Sequence, residues 1–142
     1  MANTALVLVD TSVWIQFFRT PNSREAKTLD ELLLLGAVAV CEPIRAEVIS
    51  GSPNKQEFQR LRKLFEALVF LAPPNDIWTR IEEHRFALAR HGIQSALIDL
   101  WIALTAQFHQ VALWTLDEDF PHITSVIPIS LYHIEINSKR PK

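Results

Sequence analysis

Apolar and polar positions along the 142-residue chain switch repeatedly between two periods, and the switches lay out strand, helix, helix, strand, four helices and strand, in that order. Ala5 to Val9 (ALVLV) contains no polar residue. A strand that apolar belongs in the middle of a parallel sheet, covered on both faces. Thr11 or Ser12 then caps a short helix through Phe18, and Ser23 caps a second, whose Leu29, Leu32 and Leu33 share a face before Gly36 stops it. Residues 37–41 (AVAVC) make a second buried strand, and Pro43 suits the first turn of the helix that runs on to Ser50.

The segment from Asn54 to Phe70 is amphipathic, with Phe58, Leu61, Phe65 and Leu68 in one stripe and Lys55, Arg60, Arg62 and Lys63 mostly away from it. Pro73 and Pro74 open a helix through Arg90, Ser95 caps another as far as His109, and Val111 to Leu116 (VALWTL) is the third strand. A last short strand is expected within Val126 to Leu131. There is no repeat and no linker, so the pattern predicts an α/β chain with one domain over residues 1–137 and a loose tail at 138–142.

Composition narrows the class. A hydrophobic content of 49% and a charged content of 21% describe a chain that can bury one core rather than a disordered one. The single cysteine, Cys41, permits no internal disulfide and cannot hold zinc unaided, which fits a reducing cytosol. No apolar run approaches the ~20 residues that span a bilayer. A net charge of −2 argues against a polyanionic partner, but with a handful of the 16 acidic residues gathered in a pocket, the 14 basic ones would dominate the remaining surface.

Two acids stand apart. Asp10 is the first charged side chain, placed where a buried strand gives way to a helix, and in open α/β sheets that edge binds ligands. Asp99 is the only Asp, Glu, Lys or Arg between Arg90 and Asp117, in a helix apolar almost all round. A buried carboxylate needs a distant cation, either a basic side chain or a metal ion. Simpler roles exist: Asp10 as a helix cap, and Asp99 favoured by its helix N-terminus. Glu47, after the second strand, could be a solvated surface residue, and Asp117, after the third, an acidic turn residue with Asp119 as its competitor.

Convergence changes the weighing, because parallel strands bring Asp10, Glu47 and Asp117 to one edge and Asp99 begins the helix leading into the third strand. Carboxylates crowded together repel unless a hard cation sits among them, and magnesium suits an all-oxygen site. Such a site hydrolyses phosphodiesters. The chain has no serine elbow, no Cys and His pair and too few glycines for a phosphate loop, and His84, His91, His109, His122 and His133 show no metal spacing. An aspartyl-phosphate enzyme with Asp10 as nucleophile lacks its second Asp, since position 12 is Ser.

Four segments, VLVDTSVWIQFF, EVISG from Glu47 to Gly51, IDLWIALTA around Asp99 and LWTLDEDFPHI, occur in an order and spacing that resembles the PIN-domain ribonucleases, specifically the VapC-type toxins of toxin–antitoxin pairs. The resemblance implies a three-layer α/β/α sandwich with a mainly parallel sheet. It implies that Asp10, Glu47, Asp99 and Asp117 bind magnesium or manganese and carry catalysis, with Ser12 and Thr115 as polar support. It also implies an RNA substrate, a homodimer and a VapB-like antitoxin. The sequence departs from the family pattern at GIQSALID, where a proline often precedes the helix. For RNA contacts, Lys55, Arg60, Arg62 and Lys63 are candidates, against a plain solvated helix face. The helices over 12–35 and 54–70 are expected to border an antitoxin groove. The competing class is a PIN-like module that binds RNA or protein without cutting.

Overall fold

The computed structural model describes residues 5–134, so the tail expected at 138–142 lies outside the described residues. Strands β1 (Val7–Val9), β2 (Val38–Val40), β3 (Val69–Phe70) and β4 (Ala112–Trp114) form one sheet in the order β3-β2-β1-β4, all parallel. Helices α1 (Thr11–Arg19), α2 (Arg24–Leu34), α3 (Glu42–Ser50), α4 (Lys55–Glu66), α5 (Ile77–Arg90), α6 (Leu97–His109) and α7 (Asp119–Thr124) flank it, giving the expected α/β/α sandwich. Parallel strands need crossover connections, and the helices these supply cover β1 and β2, all of whose residues are buried. No helix among the described residues is long and apolar enough to cross a membrane.

Register decides where the chemistry lies. β1 occupies the centre, with Val7, Leu8 and Val9 opposite Ala112, Leu113 and Trp114 on one side, and Val7 and Leu8 opposite Val38 and Ala39 on the other. Strands β2, β1 and β4 are therefore in step at their carboxyl ends. Helix α6 supplies the largest share of the core, burying seven consecutive residues from Leu100 to Ala106. Two turns buried on all sides are what that nearly unbroken apolar stretch dictates.

Local signals explain how the chain reverses. Ser23 accepts a hydrogen bond from the Ala26 N–H at 3.1 Å, capping α2 as expected. At the other end, Gly36 adopts φ 68°, and the pairs Ala37 N–H to Leu32 O and Gly36 N–H to Leu33 O close a Schellman motif that turns α2 into β2. Pro43 sits in the first turn of α3, as the sequence suggests.

Several expected boundaries move. The helix read from Asn54 to Phe70 stops at Glu66, and Val69–Phe70 becomes the edge strand β3; its two residues are both exposed and continue the apolar stripe, so periodicity could not separate them. The strand expected within Val126–Leu131 reduces to an isolated parallel bridge between Leu131 and Leu113. The short helix α7 has no counterpart among the expected elements. Ser95 does not cap α6: Ala96 takes the cap position, and the buried Ser95 hydroxyl has no partner. Asp76, not the proline pair, precedes α5, and Asp10, not Thr11 or Ser12, precedes α1.

Thr105, wholly buried in α6, leaves its hydroxyl without a hydrogen-bond partner. Burying an unpaired hydroxyl is unfavourable by about 1–3 kcal/mol. Thr105→Val, which keeps the shape and removes the polar atom, should therefore raise the urea midpoint by an amount equivalent to about 1 kcal/mol with an unchanged m-value.

Candidate active site

The carboxyl ends of β1 and β4 and the first turn of α6 meet at one edge of the sheet. Asp10 follows β1 directly, its N–H bonded to the Trp114 carbonyl at 2.9 Å, and it is 7% exposed. It occupies the N-cap position of α1, yet its side chain caps nothing. Instead Oδ2 accepts hydrogen bonds from Ser12 Oγ and Thr115 Oγ1, each at 2.9 Å.

Those two hydroxyls form a relay. Ser12 Oγ also accepts from the Leu116 N–H at 2.9 Å, and Thr115 Oγ1 from the Asp117 N–H at 3.0 Å. Each hydroxyl has one proton, and each spends it on Asp10, so the 3.4 Å approach between Ser12 and Thr115 is a contact rather than a donation. The pair thereby ties the loop after β4 to the carboxylate after β1.

Asp117 and Asp119 sit on that loop. The Asp119 N–H donates to Asp117 Oδ1 at 2.9 Å, an Asx-type turn that opens α7. Carboxylate oxygens of Asp99, Asp117 and Asp119 all lie within 4.8 Å of one another. The structure therefore gathers both competitors for the fourth position with Asp99 rather than choosing between them.

Asp99 lies in the first turn of α6, where the helix dipole favours a negative charge. Its carboxyl is nonetheless pushed up to about 6, by burial first and then by the charges of Asp117, Asp10, Asp119 and Glu47. The repulsion and desolvation outweigh the dipole. No cation offsets them: the ion pairs among the described residues are Arg24 with Glu25, Arg60 with Glu57 and Arg80 with Asp76, all elsewhere. Five acids thus share one negative field.

Glu47 is exposed on α3 and accepts a hydrogen bond on Oε1 from Thr11 Oγ1 at 2.7 Å. Sequence reasoning considered Thr11 only as a helix cap and missed this contact; its position next to Asp10 was the one available signal. Cys41, between β2 and α3, is buried, and its thiol is pushed up to about 12 by that burial and by Asp10, Glu42 and Glu47. A thiol so reluctant to ionise is no nucleophile.

The four basic candidates lie on α4. Arg60 is tied to Glu57, and the Arg62 guanidinium stands 5.7 Å from the Phe58 ring centroid. Phe65 is core, packed 4.7 Å from the Trp14 ring centroid, and Arg60, Arg62 and Lys63 border a shallow groove with Gln59 and Glu66. A second groove, of about 620 Å³, runs from Thr11 and Glu47 past Ile15 and Phe18 of α1 to Arg60 and Leu61 of α4. It joins two of the helices expected to border a partner's groove.

The donor set fits a hard divalent cation: carboxylate oxygens, partly desolvated and without counter-charge. Against known proteins, the PIN domain family matches residues 7–125 of the chain. Ribonuclease VapC11 of Mycobacterium tuberculosis is 30% identical over 125 residues, covering 85% of this chain and 93% of the relative. A solved toxin–antitoxin complex from Klebsiella pneumoniae includes a chain 28% identical, with a TM-score of 0.62 over 94% of this chain and 100% of that one. VapBC-1 from nontypeable Haemophilus influenzae shares the fold, with a TM-score of 0.70 at 23% identity over 89% of this chain and 96% of that one. The chain belongs to the PIN-domain family, in its VapC branch.

Proposed function

We propose that this chain is a metal-dependent endoribonuclease acting in the cytoplasm as the toxin of a toxin–antitoxin pair. The observation that carries the proposal is the field around Asp99, where four other acids converge and, among the described residues, no basic side chain forms an ion pair with them. Asp10, Glu47, Asp99 and Asp117 are assigned to catalysis and to magnesium, with manganese as an equivalent ion and Asp119 as a further oxygen donor. When bound, such an ion lowers the pKa of a coordinated water and neutralises charge on a phosphoryl group.

The chain's own residues prepare that chemistry. Ser12 and Thr115 hold Asp10 in one orientation by donating to the same carboxylate oxygen. Thr11 restrains Glu47 in the same way from the α1 side. The Asx turn after β4 sets Asp117 and Asp119 side by side. Lys55, Arg60, Arg62 and Lys63 are assigned to the RNA backbone, and a VapB-like segment is assigned to the groove between α1 and α4; hydrogen-exchange protection of both helices on adding that partner is the expected mark of its docking.

The direct test is RNA cleavage with and without magnesium. Asp10→Asn and Asp99→Asn should each lower kcat/KM by about 100-fold or more, while circular dichroism stays native. Full activity in either variant, or in a chelator, rejects the assignment.

Thr11→Val should weaken magnesium binding by about 10-fold, in the range of lost outer-sphere support, with Thr11→Ser close to native. Calorimetric titration of the metal separates this from a folding defect.

In chelator, folded Asp99 keeps its proton to about 6, whereas the unfolded carboxyl loses it near 3.8. The folded state binds the extra proton in that window, so stability should fall as pH rises through it. Melting temperatures of the metal-free protein should show this fall, Asp99→Asn should abolish it, and magnesium should stabilise more at neutral pH than at the acid end. A flat profile in the native chain would contradict the convergence of charge.

A further inference from the structure

Of four grooves on the described surface, two are electrically balanced. The groove between α5 and residues 93–97 sets Glu82 against Arg85, and the groove between α1 and α4 sets Glu47 and Glu57 against Arg19 and Arg60. The other two carry more base than acid and adjoin each other, because Arg62 lines both. One is the shallow groove along α4. The second, of about 430 Å³, lies between α3 and α4 and is bordered by Glu42, Arg45, Ile49, Phe58 and Arg62.

Arg45 sets this groove apart. Its side chain is half-buried, yet among the described residues it forms neither an ion pair nor a side-chain hydrogen bond. Glu42, one turn earlier on α3, shares the groove without pairing to it. A guanidinium drawn partly out of water without an acceptor is unfavourable, and its fork of N–H donors suits a phosphate. From α4, Arg62 also enters no ion pair among the described residues and stands over the half-buried Phe58 ring. Two cationic groups from neighbouring helices, beside an aromatic ring and the aliphatic Ile49, match the phosphate and the base of a nucleotide.

Position ties the groove to the acids. It begins at Glu42, which follows Cys41 at the end of β2, and β2 pairs directly with β1, the strand that leads into Asp10. Neighbouring strands lie about 5 Å apart, so the mouth of the groove opens on the same sheet edge as the carboxylates. Arg45 and Glu47, two residues apart, are separated by about 200° around α3. The helix thus presents Glu47 to the groove it shares with α1 and Arg45 to the groove it shares with α4. A polyanion approaching the acids is repelled by them, and the nearby groove with spare cations offsets that repulsion. A cleft of this volume takes one nucleotide and excludes a double helix.

We infer that the groove between α3 and α4 holds one nucleotide of a single-stranded RNA beside the acidic edge, its phosphate on Arg45 and Arg62 and its base against Phe58 and Ile49. The choice of RNA rests on the hydrolytic reading. The inference adds Arg45 to the bases of α4 and fixes the strandedness of the substrate.

Fluorescence anisotropy with a labelled single-stranded oligoribonucleotide tests it, in the Asp99→Asn background so that the strand stays whole. Adding Arg45→Gln or Arg62→Gln should raise the dissociation constant about tenfold and lessen its log–log slope against salt by about 0.7, the share of one phosphate on a single strand. Arg45→Lys should keep the slope, and Arg24→Gln, on α2, should change neither quantity. With Asp99 intact, Arg45→Gln should raise KM and leave kcat and the calorimetric affinity for magnesium unaltered, whereas a distortion of Glu47 would move both. Unchanged affinity and slope in the two arginine variants overturn the inference. So does a duplex of the same sequence that binds as tightly, or a polyglutamate peptide that competes as well as the oligonucleotide. A native chain that cuts no RNA, with slopes that still fall as stated, sinks the hydrolytic reading and supports the groove; cleavage by Arg45→Gln with native KM does the reverse.

Discussion

Like charges held close in a partly desolvated crevice repel one another, and the architecture is arranged to hold them there. Five carboxylates from four separate parts of the chain reach one edge of the sheet, and the consequence is visible at Asp99, whose proton is retained to about 6 even at a helix N-terminus. Nothing local produces that. It requires β1, β2 and β4 to run parallel and in step, so that the segments leaving these strands emerge at the same end. The buried strands and the enclosed α6 supply the apolar contacts that offset the repulsion.

Hydroxyl groups then turn proximity into fixed geometry. Ser12 lies just after β1 and Thr115 just after β4, and both donate to Asp10 Oδ2. Each receives a backbone N–H from the loop that carries Asp117, so the position of one carboxylate is coupled to the path of the segment bearing the next. A pocket that must receive a cation without rearranging gains from such bonds, because orientation is settled in advance.

Two further surfaces adjoin the acids from different directions. The α1 and α4 groove begins at Thr11 and Glu47, while the α5 groove ends at Leu97. Both grooves thus border the acidic edge of the sheet, and Glu47 lines the first of them. The edge strand β3, exposed and two residues long, offers little for strand addition.

Strong local signals were legible in the sequence: the unbroken apolar runs of β1, β2 and α6, the Ser23 cap, the Gly36 stop, and the isolation of Asp10 and Asp99 from any neighbouring base. These are short-range or compositional facts, decided within a few residues. Tertiary structure decided the rest. Whether Val69–Phe70 would extend α4 or join β2 depended on a neighbour far away in the chain, and α6 could begin at Leu97 because packing, not a Ser95 cap, holds it. The sequence could name Asp117 and Asp119 as rivals, but only the folded loop sets both beside Asp99. Thr11 illustrates the limit most directly: a hydroxyl is mute about its partner until two helices bring Glu47 within reach, because hydrogen bonding is read in distance and not in order along the chain.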